Sequence, residues 1–235
     1  MLSVIIPTLN AEDTLPRTLS ALVTAAVSGL VREVIVVDGG STDGTLEIID
    51  ASGAQLVTAA QGRGQQLAAG AAVARHDWLL FLHADTVLAP GWEDELGNVF
   101  ELVNGGRFRG REVAGAFRFE LDDFSGSARL LEKLVALRCQ LLKLPYGDQG
   151  LLVSRSLYQA VGGYRKIPLM EDIDLVRRIV RRVGRGRFLL FRSGALTSPE
   201  RYRREGFFSR ILRNQACIFL FYLRVPPRFI ARLYG

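Results

Sequence analysis

Apolar positions in the first hundred residues gather into short runs separated by polar, helix-spaced stretches. Leu2–Ile6, Glu33–Asp38 and Trp78–Leu82 are almost unbroken runs, as expected of strands covered on both faces, and Gln55–Thr58 is a shorter one. Between them, residues from Ala11 to about Val27, Gly44–Ala51 and Gly64–Ala74 read as helices. Asn10 with Asp13, and Ser41 or Thr42 ahead of Gly44, are the expected caps. Strand and helix alternating in this way predict right-handed βαβ units and a mostly parallel, Rossmann-like sheet with helices on both faces. The polar, glycine-rich stretch Gly105–Arg111 is expected to be a mobile loop. Beyond it the pattern predicts a strand at Gly115–Leu121, a helix at Ser127–Leu142 and a strand at Gly150–Val153. A helix starting at Glu171-Asp172 would set Ile173, Val176, Ile179, Val180 and Val183 on one face and Arg177, Arg178, Arg181 and Arg182 on the other. A last strand is expected at Phe188–Phe191.

The strand ends carry the first sign of chemistry. Val34–Val37 ends on Asp38 and turns through Gly39-Gly40-Ser41-Thr42-Asp43-Gly44 into a helix, and carboxyl ends of such strands are where open α/β sheets bind nucleotides. Taken alone, Asp38 serves equally well as a strand-end cap. Trp78–Leu82 likewise delivers His83-Ala84-Asp85 to the same rim. Gln61-Gly62-Arg63-Gly64 resembles a dinucleotide fingerprint only in part, since Leu67 stands at the third glycine position and the motif follows the third strand. Three acids, Glu171, Asp172 and Asp174, crowd one helix start, where repulsion raises their proton affinity and the helix dipole lowers it. An acid there is also an ordinary cap.

These motifs, in this order, resemble the family-2 glycosyltransferases of the GT-A fold over residues 1–205. The resemblance implies a metal-dependent, inverting transfer of one sugar from a nucleotide-sugar donor to a hydroxyl acceptor. It implies a nucleotide-binding half at 1–104 and an acceptor half at 105–205. Pro7, Thr8, Asn10, Asp38 and Arg63 would form the nucleotide cradle. Ala84 and Asp85 would belong to the metal motif, with Asp85 holding Mn²⁺ or Mg²⁺ and His83, in place of the usual first Asp, left structural. Asp172 would be the base and Glu171 its support. Asp148 and Gln149 would border the sugar, and Gly162-Gly163-Tyr164 would allow a close backbone approach. Arg201-Tyr202 would stand in the place of the Arg-Trp pair of processive relatives, here without the Gln three residues before the Arg. The His-Ala-Asp form and compact length resemble a small bacterial subgroup sometimes linked with arsenosugar biosynthesis.

Charge changes the picture of the tail. Of 30 basic and 24 acidic residues, positions 175–235 hold 15 basic but only 2 acidic. Such a block calls for anionic company. Residues 206–235 are expected to form a helical tail that packs Phe207, Ile211, Phe219 and Leu223 on the body or a second subunit and leaves Arg210, Arg213, Arg224 and Arg228 facing anions. The other uses are peripheral contact with the inner face of a membrane, which would suit a polyprenyl-phosphate sugar transferase, and a homodimer contact. Nucleic-acid binding ranks low, because the arginines come without a recognised nucleic-acid fold. A non-catalytic sugar-nucleotide-binding protein is the reading His83 keeps open. No run reaches the ~18 apolar residues of a spanning helix, Met1 leads straight into a strand, and Cys139 and Cys217 lie far apart, so the expected setting is cytoplasmic with reduced thiols.

Overall fold

The structure is a computed structural model that describes residues 1–106, 108, 112–199, 206–223 and 225–234. Four parallel strands form its first half: β1 (Leu2–Thr8), β2 (Val31–Asp38), β3 (Gln55–Thr58) and β4 (Trp78–Phe81). Alternate side chains of β1 enter different cores, Leu2, Val4 and Ile6 on one face and Ile5 on the other, which is why the run has no polar alternation. The first face is covered by α1 (Leu15–Ser20), α2 (Val23–Val27), α3 (Thr45–Ser52) and α5 (Trp92–Asn104), and the second by α4 (Arg63–Val73).

The predicted helix over 11–27 is broken in two. Ser20 Oγ bonds back to the Pro16 carbonyl at 2.8 Å and Leu22 N–H to Leu19 O at 3.0 Å, so the helical ladder tightens and ends there. The predicted side-chain caps are also corrected: α1 starts after Thr14, whose side chain makes no cap bond, and α3 starts after Gly44, which has no side chain to cap with. The helix α5 and the short strand β5 (Thr86–Leu88) are elements the sequence reading omits.

The second half makes the sheet mixed. After β6 (Ala114–Leu121) and α6 (Gly126–Leu142) come β7 (Leu151–Ser154), α7 (Arg155–Ala160), α8 (Glu171–Val183) and β8 (Phe188–Thr197). Strand order is β3-β2-β1-β4-β7-β6-β8-β5, with β7 antiparallel to both neighbours and β5 antiparallel to β8. β8 runs six residues past its predicted end because Glu95 of α5 accepts hydrogen bonds from the Arg192 and Ser193 amides and anchors the polar part. On α8, Arg178 departs from the expected free face: it pairs with Asp174 and donates to the Val161 and Gly163 carbonyls.

The tail forms α9 (Phe207–Tyr222) and α10 (Pro227–Tyr234). Its packing differs from expectation: among the described side chains Cys217, Ile218 and Ile230 are buried, while Phe219 and Leu223 are more than half exposed, and the side chains of Phe207 and Ile211 lie outside those described. Hydrophobic spacing on a short helix marks a stripe but does not say which edge of it meets the body. Both cysteines are buried and free. Among the described residues no helix is long and apolar enough to cross a membrane. The loop predicted at Gly105–Arg111 lies mostly outside the described residues.

Two glycines test this packing with opposite signs. A Cβ on Gly70 of α4 would sit 2.5 Å from Ile5 Cγ2 and 2.8 Å from Val37 Cγ2, whereas one on Gly97 of α5 would meet nothing within 4 Å. Gly70→Ala is expected to lower stability by about 1–3 kcal/mol through overpacking, and Gly97→Ala to raise it by about 0.5–1 kcal/mol. Urea denaturation of both variants checks the pair.

Candidate active site

β1 and β4 lie side by side where the strand order reverses, and the chain beyond their carboxyl ends opens into a cleft with two lobes. The larger, about 480 Å³, is lined by Pro7, Thr8 and Asn10 after β1, by Gly62 and Gln66 around the start of α4, and by Ala84 after β4. The smaller, about 120 Å³, lies between Tyr146–Asp148 and the start of α8, with Asn214 and Ile218 of α9 as its far wall. Arg63, His83, Asp85 and Ser198 line both lobes and mark their seam.

Local sequence explains the larger lobe. Asn10 adopts the left-handed region at φ 50°, which Asn tolerates, and its Oδ1 accepts from the Thr42 amide at 2.9 Å while its own amide donates to Ser41 Oγ. The loop after β1 is thereby tied to the loop after β2. Asp38 does not line the cleft: it is buried, with Oδ2 accepting from the Gly40 and Ser41 amides and Oδ1 from the Ser41 hydroxyl at 2.5 Å, and these bonds hold its proton affinity below the ordinary value despite burial. Asp38 builds the turn that supports the cradle. Gln66, which sequence reasoning missed, does related work by donating to the Thr8 and Val37 carbonyls, both at 2.8 Å. Nothing in an isolated glutamine on a helix signals that role.

The smaller lobe is built around buried acids. Glu171 and Asp172 are 3% and 9% exposed, so neither is a solvated helix cap. Arg63 Nη1 lies 3.5 Å from Glu171 Oε1 and 3.9 Å from Asp172 Oδ2. Tyr164 donates its hydroxyl to Asp172 Oδ1 at 3.0 Å, and Gly163 is needed before it, because a Cβ there would press on the Tyr158 ring at 2.8 Å. Gly147 shows how closely the opposite wall approaches: a Cβ would fall 2.3 Å from Asp172 Oδ2 and 2.4 Å from His83 Nε2. Burial raises the proton affinity of both acids; the Asp172 charge adds to the effect on Glu171, and Arg63 opposes it on both. Asp148, in the same wall, is pushed up to about 6 by burial, with the Asp85 and Asp172 charges adding. Asp148 Oδ1 and the Tyr146 hydroxyl are buried with no hydrogen-bond partner among the described residues.

Gln149, expected beside the sugar, is placed elsewhere. It is 2% exposed, donates to the Phe117 carbonyl at 2.9 Å and accepts from the Tyr146 amide at 3.2 Å, which makes it a core tie. Arg201 and Tyr202 lie outside the described residues. Among the described residues no three His, Cys, Asp or Glu side chains gather as a closed metal site. Asp85 at the seam offers one hard oxygen donor with His83 beside it, and this set suits a divalent cation whose other ligands are phosphate oxygens and water.

The sheet order and the cleft define an α/β protein of the GT-A type. A crystal structure of glucosyl-3-phosphoglycerate synthase from Mycobacterium tuberculosis, in complex with Mn²⁺, UDP and glucosyl-3-phosphoglycerate, shares that fold with a TM-score of 0.58 at 24% identity, over 83% of this chain and 70% of that one. The same protein with Mg²⁺ and UDP gives 0.57 at 23%, over 83% and 69%. Residues 3–102 match the family model described as Glycosyl transferase family 2. In sequence the chain is 35% identical to glucosyl-3-phosphoglycerate synthase of Mycolicibacterium paratuberculosis over 37% of this chain and 29% of that one. It is 38% identical to a PGL/p-HBAD biosynthesis glycosyltransferase of Mycobacterium bovis over 37% and 36%. The chain thus spans about a third of the length of these curated relatives.

Three acids with raised proton affinity have a consequence for stability. Each binds a proton more tightly folded than unfolded, so the folded state is favoured at low pH, and that advantage is lost as pH rises through the window from about 4 to about 7 set by Asp148 and Glu171. The metal-free protein is expected to lose stability between pH 5 and 7, and Asp148→Asn to recover on the order of 2 kcal/mol of it at pH 7. Urea midpoints across that range test this; a wild-type midpoint that rises from pH 5 to 7 would contradict it.

Proposed function

We propose that the chain is a divalent-metal-dependent, inverting glycosyltransferase that moves one sugar from a nucleotide-sugar to a hydroxyl acceptor. The observation that carries this reading is the buried pair Glu171-Asp172, held against Arg63 where a large lobe meets a small one. The larger lobe suits a nucleoside, with Pro7, Thr8 and Asn10 as its wall. The diphosphate would lie at the seam, where Arg63 at the start of α4 supplies a guanidinium and the helix amino terminus a second positive pole. When bound beside Asp85, Mn²⁺ or Mg²⁺ would neutralise charge developing on the leaving diphosphate. The ligands of the structural neighbours, Mn²⁺ or Mg²⁺ with UDP, support this choice of group.

The small lobe would take the sugar and the acceptor hydroxyl. Tyr146 Oη and Asp148 Oδ1 bring polar atoms without hydrogen-bond partners among the described residues, which suits a hydroxyl-rich ligand. Asp172 would accept the acceptor proton on Oδ2, its raised proton affinity bringing it nearer working pH, while the Tyr164 hydroxyl fixes Oδ1. Glu171 would share Arg63 and support the charge of its neighbour. Wall residues Asn214 and Ile218 come from α9, which also exposes Leu212 and Phe219 and is followed by the exposed Leu223. That continuity favours, as a second reading, a lipid-linked acceptor presented at a membrane surface from the cytoplasmic side.

Asp172→Asn is expected to lower turnover by about 10²–10⁴-fold with donor affinity nearly unchanged, because the amide keeps the shape but takes no proton. Near-normal kcat in the folded variant would remove Asp172 from the base role. Thermal shift with UDP-, GDP-, TDP- and CDP-sugars, each with and without Mn²⁺, identifies the donor through ligand linkage. A metal-dependent shift that survives Asp85→Ala would overturn the assignment of the cation to Asp85. Lipid-linked product from a membrane extract separates the second reading from the first.

A further inference from the structure

A third cavity, of about 490 Å³, shares no residue with the two lobes. It lies where α8 and the segment before it meet the end of α9 and the start of α10. Its charged side holds Arg165, Arg177, Arg178 and Arg181 against a single acid, Asp174. That acid is already committed: Arg178 reaches its Oδ2 through Nε at 2.9 Å and Nη2 at 2.7 Å, and Arg165 reaches its Oδ1 at 3.3 Å. Arg177 and Arg181 have no carboxylate within ion-pair distance among the described residues. Arg177 is held by ring stacking instead, its Cζ 4.3 Å from the Tyr222 centroid, which leaves the in-plane N–H groups of the guanidinium available. The facing wall is apolar and includes Phe221, Val225 and Pro227.

We propose that this cleft is a second binding site, for a phosphate ester that carries an apolar portion. Two guanidinium forks without an acid partner match the several acceptor oxygens of a phosphate, for which Arg is the preferred partner. The apolar wall explains why the ligand is an ester and not the bare anion. A solvated basic helix face would need no such wall and no stacked arginine. The site stands independently of the transferase reading, since none of its residues contributes to the lobes. A soluble phosphate ester and the headgroup of an anionic lipid share this chemistry.

The test compares wild type with Arg177→Gln/Arg181→Gln and with Arg177→Lys/Arg181→Lys, each checked for an unchanged unfolding midpoint. Phenyl phosphate is titrated calorimetrically in one arm, and phosphatidic acid vesicles are co-sedimented against phosphatidylcholine vesicles in the other. Affinity in at least one arm should fall by about tenfold or more in the Gln variant and recover only in part with Lys, which keeps charge but loses the fork. A loss in the phenyl phosphate arm assigns a soluble ester, and a loss confined to vesicles assigns a lipid headgroup. Unchanged binding in both arms, or full recovery with Lys, would overturn the site.

Discussion

Two carboxyl groups taken out of water side by side, Glu171 and Asp172, impose the constraint around which the cleft is arranged. Burying a charged carboxyl costs several kcal/mol unless partners compensate. Arg63 supplies part of that compensation from 3.5 and 3.9 Å, the amide at the start of α8 supplies part on Glu171, and the Tyr164 hydroxyl and the Gly147 backbone supply part on Asp172. Arg63 reaches them only because α4 and α8 meet end to end. A Cβ on Gly64 would stand 2.6 Å from the Arg165 carbonyl and 3.3 Å from Glu171 Cβ, so the glycine after Arg63 is a steric requirement of the acid pair.

The same approach explains features that look unrelated. Met170 enters α8 at φ 67°, a left-handed conformation unusual for a long side chain, and it directs the next two residues into the cleft. Gly147 brings the opposite wall against Asp172, and Tyr164 closes the remaining side with its hydroxyl. An acid so enclosed has few solvent partners and holds its proton more tightly, the property a general base needs near neutral pH. Packing, strain and proton affinity are therefore consequences of one arrangement.

Much of this was legible in the chain. Strands β1, β2 and β4 are runs whose apolar side chains fill both cores, and burial on two faces is what makes such runs continuous; β3, at the sheet edge, is mostly exposed. The Glu171-Asp172 pair stood out because three acids in four residues are costly unless something uses them. The places where reading failed have physical reasons. Asp38 at a strand end looks the same whether it meets a ligand or its own turn amides, and its bonds to the Gly40 and Ser41 amides are not announced by the local sequence. Gln149 looked available because polarity in a turn suggests exposure, but Phe117 and Tyr146 supply internal partners. Helix α5 carried its period in Trp92, Leu96, Val99 and Val103, all buried, yet sits between a short strand and a glycine-rich loop that drew attention away. The end of β8 is polar and is held by Glu95, almost a hundred residues earlier, which no local pattern announces.

The central claim is that the seam between the two lobes receives a diphosphate, with the cation on one side and Asp172 across the small lobe. A crystal structure with Mn²⁺ and the nucleoside diphosphate chosen by thermal shift tests it directly. The account predicts the base beside Pro7 and Asn10, the diphosphate between Arg63 and Asp85, the cation in contact with Asp85, and Asp172 facing the vacated sugar position. Nucleotide bound away from that seam, or a cation held without Asp85, would contradict it.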